Sequence, residues 1–421
     1  MRPNLWLLAS VLATGIGLMY VERAVAPWEY YVNVVHGTTR SQIGDLYPSW
    51  YGSRELIRRG RNPYGRQVSD EIQMAYYGRV IRQEYDAPGV PLTDEQRFAY
   101  PVYVAFLLAP TTLLPFSEVQ AWAPLALALM TAASVLLWVD VLNWNLQPSL
   151  KATVILFVLS SPQLVQGMRL RQLGLLVSFL LTLATWCISR NHLLAAGIIL
   201  AFSTLKPQMA CLPLAWFLLW SLSVWSKRWS LVGSFSLTLL GLAGVGEILL
   251  PRWPQYFFDG MLAYRHYSPT ISPLALIVGQ PTSEVLSIVV VGGLLLRAWR
   301  HRHMEPGSGQ FVLTLATLLT TETLVMPLLT PFKHILLLLP LLMALRDWSE
   351  LPRAWRVFFF GIVAWPFITS LILLLHRPRI DSLNRIPLLP GVAALLLPFL
   401  FAIFLARKPR AVAKPNLLIA T

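Results

Sequence analysis

Charge is scarce in this chain and negative charge scarcer still: only 13% of the 421 residues are Asp, Glu, Lys or Arg, and 20 acids face 34 bases for a net charge of +14. With 56% hydrophobic residues and a mean hydropathy of +0.57, the chain has too little polar surface to coat a water-soluble globule. That excludes a cytosolic domain and leaves a polytopic membrane protein. Cysteine is nearly absent too. Cys187 and Cys211 both fall inside apolar runs, which argues against a disulfide framework or a thiolate metal site. There is no Asp-x-Asp pair to hold a metal on a nucleotide diphosphate, no glycine-rich phosphate loop ending in Lys-Ser or Lys-Thr, no Gly-x-Ser-x-Gly and no His-Glu-x-x-His. A cytosolic nucleotide-sugar enzyme is thereby disfavoured, and neither metal nor cofactor is expected. The one close histidine pair, His301 and His303, stands in a basic loop and reads as solvated. No basic helix or aromatic-basic module gathers the positive surplus, so it does not point to nucleic acid. Scattered over short loops, it reads as topology signal and as attraction to lipid headgroups.

What the chain does have is a succession of apolar runs. The first, Leu5 to Val25, is about as long as a bilayer span. Others cover approximately 98–116, 119–141, 152–168, 173–189, 192–206, 208–225, 230–250, 274–296, 311–329, 334–346, 356–376 and 386–406. The basic clusters at Lys227-Arg228, Arg297 to Arg302, Arg346 to Arg356 and Arg407 to Lys414 should lie on the same, cytoplasmic, side as Arg2. They do so if the proline-bounded run 98–116 dips into the membrane and returns. The expectation is an all-α protein of about 12 transmembrane helices, one integral membrane domain over 1–421 with both termini inside.

One long polar segment, 26–97, interrupts this pattern and carries nine Lys/Arg against nine Asp/Glu. A loop of that length crosses largely regardless of charge, and the topology sets it on the extracytoplasmic face. Within it, Ser49 to Gly60 reads as an amphipathic helix suited to lying flat on the membrane. Asn62-Pro63-Tyr64-Gly65 reads as a turn, and Ser69 as the N-cap of a second helix to about Tyr85, with Ile72, Tyr76 and Val80 on one face. Asp45 opens the loop's structured part just beyond the first apolar helix, followed by Tyr47, Pro48, Trp50 and Tyr51. A carboxylate held at a membrane surface is a candidate general base.

The order of short motifs along the chain resembles that of the polyprenyl-phosphate-mannose-dependent α-mannosyltransferases, glycosyltransferase family 87 of the glycosyltransferase C superfamily. The family pattern of an acid, a short aromatic helix and then Gly-x-x-Pro-Tyr is similar to Asp45, Leu46, Tyr47 and Gly60-Arg-Asn-Pro63-Tyr64. Its Tyr-Pro-Pro corresponds to Tyr100-Pro101-Val102, without the second proline. Its Gly-Gln-x-Asn is reduced to Arg171-Gln172-Leu173-Gly174, which keeps the glutamine and lacks both the leading glycine and the asparagine. Lys206-Pro207-Gln208 resembles its Lys-Pro step, and Thr330-Pro331-Phe332-Lys333-His334 a shortened Ser-Pro-x-x-Trp-x-His.

The resemblance implies an inverting transfer of a hexose, mannose, from a polyprenyl-phosphate donor to a glycolipid or glycan acceptor, at the outer face of a bacterial inner membrane. Asp45 would be the base. Lys206, Lys333, Arg171 and Arg169 are the cations available for the leaving phosphate, although Lys and Arg at helix ends are also ordinary snorkelling anchors. His334 would reach the phosphate or a sugar hydroxyl, and Gln172 would contact substrate. The pyranose would sit among Asp45, Tyr47 and Tyr100, and Trp50 and Tyr64 either stack on sugar or anchor in the interface. The prenyl tail would lie against the apolar helices. Glu322, inside an apolar run, supports a rival reading, a proton-coupled transporter or flippase for a lipid or small solute.

Overall fold

The computed structural model describes residues 3–27, 30–31, 43–81, 94–267, 271–326, 331–376 and 388–407, and every regular element among them is helical. Helix α1 (Pro3–Tyr20) runs on through a π-turn at Val21–Val25; the polar segment contributes α2 (Leu46–Arg59) and α3 (Arg66–Tyr77). Then come α4 (Val104–Leu108) with a 3-10 turn at Ala109–Leu113, α5 (Phe116–Val141), α6 (Pro148–Leu159), α7 (Pro162–Arg169), α8 (Leu173–Ser189) and α9 (Leu193–Ser203). After a 3-10 turn at Pro207–Met209 follow α10 (Cys211–Leu222), α11 (Trp225–Leu249), α12 (Trp253–Tyr267), α13 (Pro273–Val278), α14 (Gln280–Arg300) and α15 (Gly309–Val325). A 3-10 stretch at Pro331–Leu337 leads into α16 (Leu338–Arg346), and α17 (Arg353–His376) and α18 (Leu388–Arg407) end the fold.

Among the described residues, five helices are long and apolar enough to cross a membrane, six if α6 and α7, bent by 67° at Ser160–Ser161, count as one broken span. The expected twelve are not reached by this measure. Six further apolar segments, including α8, α9, α10 and α15, are 10–17 residues long, below the ~20 needed to span hydrocarbon unaided. The run 98–116 folds as α4 and its 3-10 extension, also below span length. Helix α12 was not anticipated, because its apolar residues are interrupted by Asp259 and Arg265. The helices pack in a closed sequence of neighbours, α1 on α6 and α17, α17 on α18, α18 on α15, α15 on α10, α10 on α11, α11 on α9, α9 on α8 and α8 on α5. Their shared interior includes Trp216, Phe217, Trp220 and Phe311.

Helices α2 and α3 form a hairpin over this bundle. The apolar stripe of α2, Leu46, Trp50 and Leu56, is buried at helical spacing, as periodicity requires. It faces protein, however, packing on α4 and the following 3-10 turn, so the sequence expectation of a helix flat on the membrane is corrected. Trp50 is 1% exposed and its indole N–H donates to Thr111 O at 3.1 Å; it is a core side chain and not a platform for sugar. Trp50→Ala should therefore lower stability by about 3–5 kcal/mol, read as a fall in melting temperature of the detergent-solubilised protein.

Gly60, left-handed at φ +62, ends α2, and Asn62 Oδ1 accepts from the Tyr64 N–H at 2.9 Å in the turn that follows. Helix α3 then starts at Arg66, three residues before the expected cap, so Ser69 lies inside it. It ends at Gly78, φ +66, well before Tyr85. Tyr85 is outside the described residues. Arg61 staples the turn, bonding Glu55 at 2.6 Å and Glu71 at 2.8 Å, while Tyr51 OH donates to Glu71 at 2.8 Å.

Candidate active site

The stapled hairpin puts the first residue of α2 beside the last turn of α3, and this is where the acid lies. Asp45 is the N-cap residue of α2, but its carboxylate makes no capping bond. Its backbone N–H donates to Leu170 O at 2.8 Å, pressing the chain against the turn between α7 and α8. Gly44, one residue earlier, has φ +75, and a Cβ there would stand 2.9 Å from both Leu170 O and Arg171 Nη1. Glycine alone meets the left-handed backbone and the close approach together. Gly44→Ala should displace Asp45 and cut turnover about tenfold or more with helical content unchanged by circular dichroism, a loss well within what misplacing a reacting group costs.

Both carboxylate oxygens of Asp45 are engaged. Oδ2 accepts a short hydrogen bond from Gln172 Nε2, and Oδ1 accepts from Tyr76 OH at 3.4 Å. Gln172 is buried at 6% exposure, and its Oε1 accepts from Lys206 Nζ at 2.9 Å. An ammonium only donates and a carboxylate only accepts, so these neighbours settle which way the amide points. Lys206 lies in the turn between α9 and Pro207–Met209, half-buried, with its ammonium 5.4 Å from the Phe332 ring centroid and 6.0 Å from that of Tyr100. Tyr103 OH meets Thr204 Oγ1 at 2.8 Å, tying the Lys206 turn to the segment that carries Tyr100, and Tyr64 OH donates to Tyr100 O at 2.5 Å. Burial pushes the Lys206 ammonium down to about 8, with the charge of Asp45 acting in the opposite direction. At neutral pH the site thus holds a protonated lysine one amide away from a carboxylate.

The structure brings Asp45, Gln172, Lys206 and Tyr100 together. Tyr64 stands behind Tyr100, packed edge-on against Phe98 at 5.0 Å, and acts on the site through its bond to the Tyr100 carbonyl. Tyr47 stacks on Tyr51 at 5.5 Å and meets Phe116 edge-on at 4.9 Å, forming a wall next to Tyr76. Arg171 is close to Gly44, but its Nε donates to Gln120 O at 3.0 Å and its Nη1 to Arg169 O at 2.7 Å. Its φ is +57, a conformation that the glycine of the Gly-Gln-x-Asn pattern adopts without strain. At the other end of that pattern, a Cβ on Gly174 would stand 2.9 Å from Met209 Sδ, so the flexible end of Met209 would have to shift to admit an asparagine.

Lys333 and His334 are directed elsewhere. Lys333, 2% exposed, donates to Met326 O at 3.1 Å, and His334 lines a separate apolar crevice with Phe157, Leu338 and Phe401. Glu322 is fully buried and accepts from the Leu212 N–H and from Cys211 Sγ, each at 3.0 Å, at the start of α10. It holds a helix N-terminus, where a carboxylate is favoured. The sequence did not single out Tyr76, Tyr103 or Phe332 for the site. Tyr76 was legible only as one position on an apolar helical face, and Tyr103 and Phe332 only as neighbours of Tyr100 and Lys333 in the short motifs, with no role of their own. Among the described residues no group of three or more His, Cys, Asp or Glu side chains gathers as a metal site would require.

A family model for glycosyltransferase family 87 matches residues 98–331, more than half of the chain, including Tyr100, Gln172 and Lys206, with Asp45 preceding the matched stretch. No curated protein and no solved structure matches the chain. The family match and the apolar helices long enough to cross a bilayer agree in kind: the chain belongs to glycosyltransferase family 87 and is a glycosyltransferase of the membrane.

Proposed function

We propose that the protein moves a hexose, mannose, from a polyprenyl-phosphate donor to a hydroxyl of a glycolipid or glycan, with inversion, at the extracytoplasmic face of a bacterial inner membrane. The observation that carries this reading is the sequence of groups Asp45, Gln172, Lys206: an acceptor of protons and a donor to anions, held a short distance apart. The acceptor oxygen attacks the anomeric carbon as its proton passes to Asp45. The bond from that carbon to the phosphate oxygen breaks, and the prenyl phosphate leaves as an anion. Such a leaving group needs no protonation by a second acid, which suits a site with one candidate base.

Gln172 takes one of the three hydrogens of the Lys206 ammonium, and the others can meet the phosphate oxygens in charge-assisted bonds. Tyr100 and Tyr47 bound the space for the pyranose. In this reading Arg171 shapes the loop under Asp45, and Lys333 and His334 support the wall that carries Phe332.

The test uses purified protein in detergent with labelled prenyl-phosphate sugars and a glycolipid acceptor. Label should pass to the acceptor without a sealed compartment, fastest from prenyl-phosphate mannose. Equal transfer from a nucleotide sugar would remove the lipid-linked donor. Activity confined to sealed vesicles would favour a transporter.

A further inference from the structure

Helix α12, which the sequence did not anticipate, is the helix placed to meet the lipid. Its start is fixed by the span before it. Helix α11 has its polar first turn, Ser226 to Arg228, in one interface, and about twenty residues further on Leu249 reaches the other. There the chain turns: the Arg252 N–H donates to Glu247 Oε1 at 2.7 Å, and the Trp253 indole reaches back to donate to Ala243 O at 3.1 Å. Were α12 to re-enter the hydrocarbon it would run beside α11 or another span, and Asp259 and Arg265 would enter with it at high cost. Among the described residues it packs along none of the spanning helices. It therefore leaves the bundle direction at the membrane boundary.

Two stripes of α12 have different surroundings. On the inner one, Trp253 meets Tyr103 edge-on at 5.7 Å, Tyr256 stacks on Tyr64 at 6.4 Å, and Tyr264 stands near enough to Tyr100 for their phenols to interact electrostatically. Those three partners form or brace one wall of the site. On the outer stripe Phe258, Met261 and Leu262, at i, i+3 and i+4, are 60%, 38% and 42% exposed. The exposed Gln255 and Asp259 flank them. An apolar stripe edged by polar residues, on a 15-residue helix anchored at the end of a span, suits the layer between headgroups and acyl chains. Helix α2, which in the sequence looked suited to that layer, has its stripe covered by protein instead. We propose that α12 is the membrane-docking helix of the active site, its outer stripe of Phe258, Met261 and Leu262 seated in the lipid surface while its inner stripe braces the tyrosine wall. A donor whose tail stays in the bilayer then meets that wall at a fixed depth. This purpose rests on the transfer reading above; the placement of the helix does not.

The experiment measures depth by spin-label power saturation in the full-length protein, in vesicles of phosphatidylethanolamine and phosphatidylglycerol in equal parts, with oxygen and a nickel chelate as relaxants. The native cysteines are first replaced, Cys187→Ala and Cys211→Ser, the serine keeping a donor for Glu322. If that background does not fold, they are kept and their own labelled spectrum is subtracted. A label at Phe258→Cys should lie about 5–10 Å into the boundary between headgroups and acyl chains, relaxed by oxygen above the chelate. A label at Asp259→Cys, one residue on, should be open to the chelate. Both labels in water, either one near the bilayer centre, or a label at 258 shielded from both relaxants by protein would each overturn the proposal. A second readout follows in the same vesicles. Phe258→Asp should lower donor kcat/KM about tenfold or more by shifting the wall, and Phe258→Leu should leave it unchanged. On a surface facing water the aspartate would cost nothing, so unchanged kcat/KM in that variant also overturns the proposal. A wild type without transfer from any prenyl-phosphate sugar, with the depth pattern intact, removes the transfer reading and leaves the docking helix. An active wild type without the depth pattern removes the docking helix alone.

Discussion

Asp45→Asn should abolish sugar transfer, lowering turnover by about 10³-fold, the middle of the range for loss of a general base, while the protein folds and melts as the wild type does. The expectation of an intact fold comes from the bonding around the residue. The backbone N–H that donates to Leu170 O is unaffected. An asparagine oxygen can still accept from Gln172 Nε2, and its NH2 can donate to the Tyr76 hydroxyl, which accepts as readily as it donates. Both of these bonds therefore have a counterpart, and the change in stability should stay within about 1 kcal/mol. What the variant lacks is a lone pair basic enough to take the acceptor's proton. Initial rates with a labelled prenyl-phosphate sugar, alongside a thermal melt, make the measurement. Wild-type-like turnover would remove Asp45 from the mechanism.

Lys206→Met should lower kcat/KM for the donor by about 10²-fold or more, the loss typical of one charged partner to a developing anion, with little change in KM for the acceptor. Methionine replaces most of the apolar stem but gives up the ammonium that faces Phe332 and Tyr100, with its charge and hydrogens. Equal damage to both substrates would indicate a misfolded site instead. The pH dependence gives a second, independent reading. Burial brings the ammonium from 10.5 to about 8, so the lysine is charged below that pH and neutral above it. Donor kcat/KM should therefore hold steady on the acid side of about pH 8 and fall as the pH rises through it, roughly tenfold per unit. A bound phosphate favours the charged form, so the limb should move to higher pH in kcat. Lys206→Arg, ionised throughout, should lose the alkaline limb while donor KM rises, because a planar guanidinium does not fit the place of a compact ammonium.

Neither expectation depends on the cations that the sequence ranked with Lys206. In the sequence Lys206 and Lys333 look alike, each next to a proline or an aromatic residue at the edge of an apolar run. In the fold, one is bonded to the partner of Asp45 and the other to the carbonyl of Met326. Glu322, which in the sequence supported a transporter, holds the start of α10. The family match to residues 98–331 likewise favours an enzyme.

Composition and hydropathy by themselves established a membrane protein built of helices, and the extent of most of those helices, because apolar runs and their polar breaks are local properties of the chain. The order of short motifs identified the family and brought Asp45, Tyr100, Gln172 and Lys206 forward as chemical groups. Only the tertiary structure decided which of them meet. Gln172 lies 127 positions from Asp45 and 34 from Lys206, each on a different element. Tyr76, a further partner of the acid, reaches it because Arg61 folds α3 back on α2. Periodicity reports which face of a helix is buried; it carries no record of which other face covers it, and that pairing is what makes a carboxylate, an amide and an ammonium into one site.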